Sequence, residues 1–155
     1  LKTHKAFDNN RPKCFLIFQN DLLRICRTDF VLGSAVERYH NVTENPNLLL
    51  NFMDLGCLLQ VNSSSIIGLA GKKAMKTAME LIFRNMVSIV ASDCHSNKGR
   101  SPKLSQAFHI ISSCVDIQKA EQLFTTNPLK VVNNQDVTID GEMIHNRRFR
   151  KFLSC

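Results

Sequence analysis

The sequence predicts an α/β fold built on parallel strands. Two short apolar runs, Cys57-Leu-Leu-Gln-Val61 and Val87-Ser-Ile-Val-Ala91, have the length and flanks of strands covered on both faces. Amphipathic helical patterns separate and flank them, in the order helix, strand, helix, strand, helix. The connections are long enough for crossovers, which parallel pairing requires.

Residues 1–20 are polar and interrupted by Pro12, apart from the run Cys14-Phe-Leu-Ile-Phe18, which reads as a buried strand. A short helix is expected over Asp21–Arg27, with Leu22, Leu23 and Cys26 inward, leading into a strand at Phe30-Val31-Leu32. Asn45 and Pro46 open a helix, asparagine as its N-cap and proline at the first helical position. Leu48, Leu49, Phe52, Met53 and Leu55 form its apolar face, and Gly56 ends it. The strand at 57–61 runs into an Asn62-Ser-Ser-Ser65 loop which, with Gly68 and Gly71 after it, is in a position to line a strand-end site, though glycine-rich flexibility alone explains it equally well. A second helix spans 72–85 with Ala74, Met75, Ala78, Leu81 and Ile82 inward; Met75, Met79 and Met86 read as core filler. Pro102 starts a helix carrying Leu104, Ala107, Phe108 and Ile111. Asp116 caps another that passes through Ala120, Leu123 and Phe124 until Asn127-Pro128 breaks it. A turn through Leu129, Val131 and Val132 precedes an exposed basic end. So few strands cannot close a barrel, and a sheet that short leaves an apolar edge uncovered. The expectation is that something is missing or rebuilt.

At 155 residues and 44% apolar content, the chain has enough material for one hydrophobic core. Its formal charge of +7 owes much to Arg147, Arg148, Arg150 and Lys151 at the end. With no Trp and one Tyr, it lacks the aromatic platforms that bind single-stranded nucleic acid, so no nucleic-acid partner is expected. The six cysteines are dispersed and form no Cys-x-x-Cys pair, which fits reduced thiols rather than a disulfide framework. No window approaches about 18 uncharged apolar residues, and no signal-peptide pattern opens the chain. A cytoplasmic location without a membrane span is therefore expected. The start at Leu1 rather than Met points to a processed product, a partial gene or a cut chain.

The chemistry is concentrated after the strand at 87–91. Asp93 and His95 follow it at its carboxyl end, where parallel α/β folds place their ligand sites. On an extended backbone both side chains point the same way, so a carboxylate and an imidazole face one cation. The alternative is that Asp93 caps a turn and His95 is a surface residue. Arg100 stands beside Ser101-Pro102 and the start of a helix, where a guanidinium and a helix N-terminus could approach one anion together; the alternative is a solvated arginine. Arg38, in Glu37-Arg38-Tyr39 after the strand at 30–32, is a second arginine for the same surface.

The succession Glu37-Arg38-Tyr39, Asn45-Pro46, Leu55-Gly56-x-Leu58-Leu59-Gln60-Val61-Asn62, Ser65-x-x-Gly68 and Val90-Ala91-Ser92-Asp93-x-His95 to Arg100 resembles the bacterial PHP-domain tyrosine-protein phosphatases of capsular and exopolysaccharide operons. Asn127-Pro128 and the end Arg147-Arg148-Phe149-Arg150-Lys151-Phe152 are similar as well. The resemblance covers about Val31 to Lys151 and the C-terminal half of a family member. It implies part of a distorted (β/α)7 barrel in the manner of a TIM barrel, with a divergent segment at 1–30, the phosphatase region at 31–140 and a basic tail at 141–155. It also implies a divalent metal cluster, commonly Mn2+, that hydrolyses phosphotyrosine on proteins without a cysteine nucleophile. A bacterial tyrosine autokinase is the implied kind of protein substrate. Asp93 and His95 correspond to metal ligands, and Arg38 and Arg100 to the arginines that bind phosphate. Cys94 is followed by five residues, His95 to Gly99, and then Arg100, so the Cys-x5-Arg spacing of cysteine phosphatases is present and the absence of a cysteine nucleophile is what the resemblance alone implies.

The chain departs from the family in three places. The family reads His-Pro-Glu-Arg where this chain has Ala35-Val36-Glu37-Arg38, so alanine replaces a metal-binding histidine. The N-terminal His-x-His has no counterpart, since His4 is followed by Lys5 and Ala6. Phe18 and Gln19 follow Leu16-Ile17 where the family carries a bridging glutamate. The leading expectation is thus a partial or degenerate metal-dependent protein tyrosine phosphatase. The alternatives are a non-catalytic remnant that binds a phosphorylated or acidic partner and another phosphoesterase of the PHP type.

Overall fold

The computed structural model describes residues 14–17, 30–94 and 104–138. Among them, strands β1 (Cys14–Ile17), β2 (Phe30–Gly33), β3 (Leu58–Asn62) and β4 (Ile89–Ala91) form one sheet in the order β1-β2-β3-β4. Every pairing is parallel: Cys14 to Ile17 against Phe30 to Gly33, Leu32 and Gly33 against Leu58 and Leu59, and Gln60 to Asn62 against Ile89 to Ala91. All carboxyl ends therefore open on one edge of the sheet. The expected α/β class holds, and each expected strand is present.

β3 is buried along its whole length, as its unbroken apolar text requires. Leu59 and Val61 point into the main core, while Gln60 and Asn62, two residues apart, share the opposite face. β4 starts at Ile89 rather than Val87, because Ser88 pairs with β3 through its side chain. The Leu59 amide donates to Ser88 Oγ at 3.0 Å, and the Ser88 amide donates to the Leu59 carbonyl at 2.8 Å.

Between β2 and β3 the chain makes a single 3-10 turn at Val36–Arg38, helix α1 (His40–Glu44), a second 3-10 turn at Pro46–Leu49, and helix α2 (Leu50–Asp54). Asn45 caps as expected, its side chain accepting from the Asn47 amide at 3.2 Å, with Pro46 at the first position. The expected apolar face is incomplete: Leu49 is fully buried, but Leu48 and Leu55 are 42% and 60% exposed. A 3-10 turn advances three residues per turn, so the 3.6-residue spacing used to draw that face does not apply across it. Gly56 ends the segment at a φ of 81°.

Helix α3 (Ser63–Ile66) and helix α4 (Lys72–Phe83) lead from β3 to β4. Ala74, Ala78, Met79, Leu81, Ile82 and Phe83 of α4 are buried, and Lys72, Lys73 and Lys76 face out. Their spacing explains both the helix and its docking. The core joins Ala78, Met79, Leu81, Ile82 and Phe83 to Leu59, Val61 and Val90 from the sheet and to Ala107, Ile111, Ala120 and Leu123 from the last helices.

Those helices are α5 (Ser105–Cys114), α6 (Ile117–Glu121) and α7 (Asn127–Val132). Asp116 caps α6, accepting from the Lys119 amide at 2.6 Å. Asn127-Pro128 does not break the helix. A π turn over Gln122–Thr126 joins α6 to α7, and the Asn127 amide reaches the Gln122 carbonyl. In a regular helix the proline ring clashes with the carbonyl four residues back; the wider turn relieves that clash. The Asn127 carboxamide is buried and donates to the Ser88 carbonyl at 2.8 Å, tying this helix to the foot of β4. Phe18, the helix expected at Asp21–Arg27, Pro102 and the basic tail lie outside the described residues. Among the described residues, no helix is long and apolar enough to cross a membrane.

Asn127→Ala strips the buried Ser88 carbonyl of its side-chain donor and should cost about 1–3 kcal/mol. Val132→Ala, on a residue 81% exposed, should stay within about 0.5 kcal/mol. Urea unfolding of the two variants checks the contrast.

Candidate functional site

Parallel pairing brings Ser34, Asn62 and Asp93 to one rim, just beyond β2, at the end of β3 and just beyond β4. A row of hydrogen bonds joins them. Gln60 Nε2 donates to Ser34 Oγ at 3.1 Å and to Asn62 Oδ1 at 3.4 Å, and Asn62 Nδ2 donates to Asp93 Oδ2 at 3.0 Å. Tyr39 Oη donates to the Ser34 carbonyl at 2.9 Å and anchors the first end of the row.

Asp93 has a φ of 50°, in the left-handed region that aspartate tolerates better than most residues. The backbone is not extended there, so simple alternation does not set the relative directions of Asp93 and His95. Its carboxylate is instead aimed by Asn62. His95 and Arg100 lie outside the described residues. Cys94, next to Asp93, is exposed.

Arg38 lies on the turn that follows β2, at the same end of the sheet. Ala35 takes a φ of 54° and ψ of 38°, and the Arg38 amide closes the turn by donating to the Ala35 carbonyl at 3.0 Å. This tight turn drives Val36 and Glu37 inward and leaves Arg38 exposed. Glu37 has 0% exposure. Its Oε1 accepts from Ser65 Oγ at 2.6 Å and from the Asn62 amide at 3.3 Å. Its Oε2 is buried with no hydrogen-bond partner among the described residues. Burial pushes the Glu37 carboxyl above its ordinary range, against the opposing pull of Ser65, the backbone amides and Arg38. Burial, and then Glu37, push the Tyr39 hydroxyl up as well.

Of the four site residues expected from sequence, Asp93 joins the polar row through Asn62, and Arg38 stands exposed on the turn after β2, next to Glu37, which accepts from the Asn62 amide. Sequence reasoning placed Asn62 in a loop able to line the site, but it did not single out Gln60, Asn62 or Glu37 for the hydrogen bonds they make. The first two carried a signal: polar residues at a two-residue interval in an otherwise apolar strand mark a second, polar face. Glu37 had none, because a glutamate beside an arginine reads as a solvated pair. As for a metal, no group of three His, Cys, Asp or Glu side chains among the described residues is arranged to hold an ion. Ala35 carries no donor, so the described residues alone do not fit a catalytic divalent ion, which takes roughly three protein ligands.

Residues 19–133 match the model of the family described as capsular polysaccharide synthesis, CpsB/CapC. The chain belongs to the CpsB/CapC family. It is 33% identical over 105 residues to the tyrosine-protein phosphatase CpsB of Streptococcus pneumoniae, covering 64% of this chain and 43% of that protein. It is 28% identical over 101 residues to the tyrosine-protein phosphatase YwqE of Bacillus subtilis, covering 65% and 39%. A crystal structure from the pair formed by YwqE of B. subtilis and CpsB of S. pneumoniae, described as unique metal-dependent tyrosine phosphatases, matches with a TM-score of 0.69 and 25% identity. That match covers 76% of this chain and 47% of the other. The chain spans less than half the length of these CpsB and YwqE relatives.

The raised Glu37 carboxyl predicts a pH dependence of stability. Because its folded pKa lies above the ordinary 4.5, its contribution is intact below 4.5 and is lost as pH rises through the folded value. Stability should fall across that window by up to about 1.4 kcal/mol per pH unit. Glu37→Gln should flatten the slope, as thermal melts at stepped pH would show.

Proposed function

We propose that this chain forms the phosphate-facing part of a CpsB-type protein tyrosine phosphatase site. The observation that carries the reading is the hydrogen-bonded chain from Glu37, in the turn that bears Arg38, through Asn62 to Asp93 at the carboxyl end of the sheet, within a chain of that family. In this reading the parallel sheet is an arc of a distorted (β/α)7 barrel. Arg38 and Arg100 hold the phosphoryl group, since a planar guanidinium matches its oxygens with paired hydrogen bonds. Asp93 and His95 are donors to a divalent ion, with manganese the assignment we favour, and further donors come from outside the described residues. Asn62 holds Asp93 in place, so that carboxylate does not have to reorganise when substrate arrives. The substrate is a phosphotyrosine protein, a tyrosine autokinase being the kind we expect, and the setting is the cytoplasm.

A second reading has specific support: alanine at position 35 and the absence of a three-donor group among the described residues favour phosphopeptide binding without turnover. One experiment separates the two. The full chain is assayed with a phosphotyrosine peptide and manganese, alongside Arg38→Ala and Asp93→Ala. Hydrolysis that falls about a hundredfold or more in Arg38→Ala and disappears in Asp93→Ala supports the phosphatase. Metal-free binding that weakens steeply with salt and is lost in Arg38→Ala supports the binding module. Turnover or binding unchanged in both variants overturns the site.

A further inference from the structure

A fully buried acid carries the inference. Glu37 sits between two pieces of the rim that are far apart in sequence: the turn that presents Arg38 and the end of β3 that holds Asp93. Its backbone belongs to the first. Its Oε1 grips the second, through Ser65 Oγ at 2.6 Å and the Asn62 amide at 3.3 Å. Asn62 in turn gives its carboxamide to Asp93 at 3.0 Å. We propose that Glu37 is a positioning residue, a buried strut that holds the Arg38 turn and the Asp93 carboxylate in one fixed geometry through Asn62. The inference deepens the reading of this rim as a phosphate site and rests on it.

Three features separate a strut from ordinary filling. An acid with 0% exposure is expensive to bury, and Oε2 goes without any partner among the described residues. An apolar side chain of the same size would fill the space without that cost, as Val36 does next to it. What an apolar side chain cannot do is accept two hydrogen bonds from the β3–α3 corner. The second feature is placement. Ser65 has 0% exposure and Asn62 1%, so neither has water as an alternative acceptor for the groups it gives to Glu37. The third is the turn itself. Ala35 holds a left-handed φ of 54°, a conformation alanine adopts only when its surroundings impose it. The buried Glu37 two residues on is a tether able to impose it.

The test uses the full chain and reads the far end of the strut. Asn62 Nδ2 gives a side-chain amide signal by NMR, assigned by its disappearance in Asn62→Asp. Glu37→Leu keeps the volume and removes the acceptor. Glu37→Gln keeps Oε1 and matches a protonated carboxyl in shape. In Glu37→Leu the Asn62 side-chain amide should lose its protection from solvent exchange by about tenfold. Phosphotyrosine-peptide affinity should weaken by about tenfold as well. Glu37→Gln should restore both, which a merely space-filling role would not require. Should Glu37→Leu fail to melt cooperatively, Ser65→Ala removes one of the two bonds with little change of shape and should move the Asn62 signal the same way. An Asn62 signal unmoved in Glu37→Leu or Ser65→Ala, or Glu37→Gln behaving as Glu37→Leu, overturns the strut. If the wild-type chain binds no phosphopeptide, the functional reading fails, while the amide signal still decides the strut separately.

Discussion

The register between β3 and β4 is the constraint on which the site depends. Setting Asn62 against Ala91 in a parallel ladder leaves Asp93 only two residues beyond the point where the strands part. That distance is short enough for a carboxamide to reach a carboxylate, and the bond between them follows. A slip of one residue would turn Gln60 and Asn62 into the core and put Leu59 and Val61 on the polar face. The apolar pattern that fixes the register for stability therefore also places the polar row. The foot of the same pairing is secured by Ser88 with its hydroxyl and backbone, and by Asn127 from the last helix.

Polar groups inside a core are costly unless paired, and here they are paired mostly with one another. Ser34, Gln60, Asn62 and Asp93 satisfy each other along the rim, and Ser65 with the Asn62 amide satisfies one oxygen of Glu37. Such a row resists displacement because moving one member strands its neighbour. Stiffness of this kind is what the proposed phosphate site would require of its donors.

Much of the fold was legible because its strands are short apolar runs bounded by turn residues, and α4 has an unambiguous stripe. The helix-cap signals at Asn45 and Asp116 also held. What misled was local geometry with a period other than 3.6: the 3-10 turn that exposes Leu48, and the π turn that carries the helix through Pro128. The site was legible in part. Arg38 and Asp93 were singled out by their place after strands and by family order; the structure puts Asp93 in the polar row and Arg38, exposed, on the turn after β2. Glu37 was missed because its burial depends on a left-handed residue at Ala35, and no pattern of side-chain types announces that. The extended path assumed at Asp93 failed for the same reason.

The π turn has a consequence for how this chain tolerates change in length. It is one residue longer than the helical turn it replaces, so it works as an insertion absorbed within a continuous helix. Deleting a single residue from Gln122–Thr126 would yield a regular helix, locally better bonded. It would also rotate everything beyond by about 100°. Asn127 would swing away from Ser88, and Pro128 would meet a carbonyl in the turn before it. The local repair and the global anchor are thus in conflict, and the helix keeps its irregularity because the sheet needs Asn127 on that side.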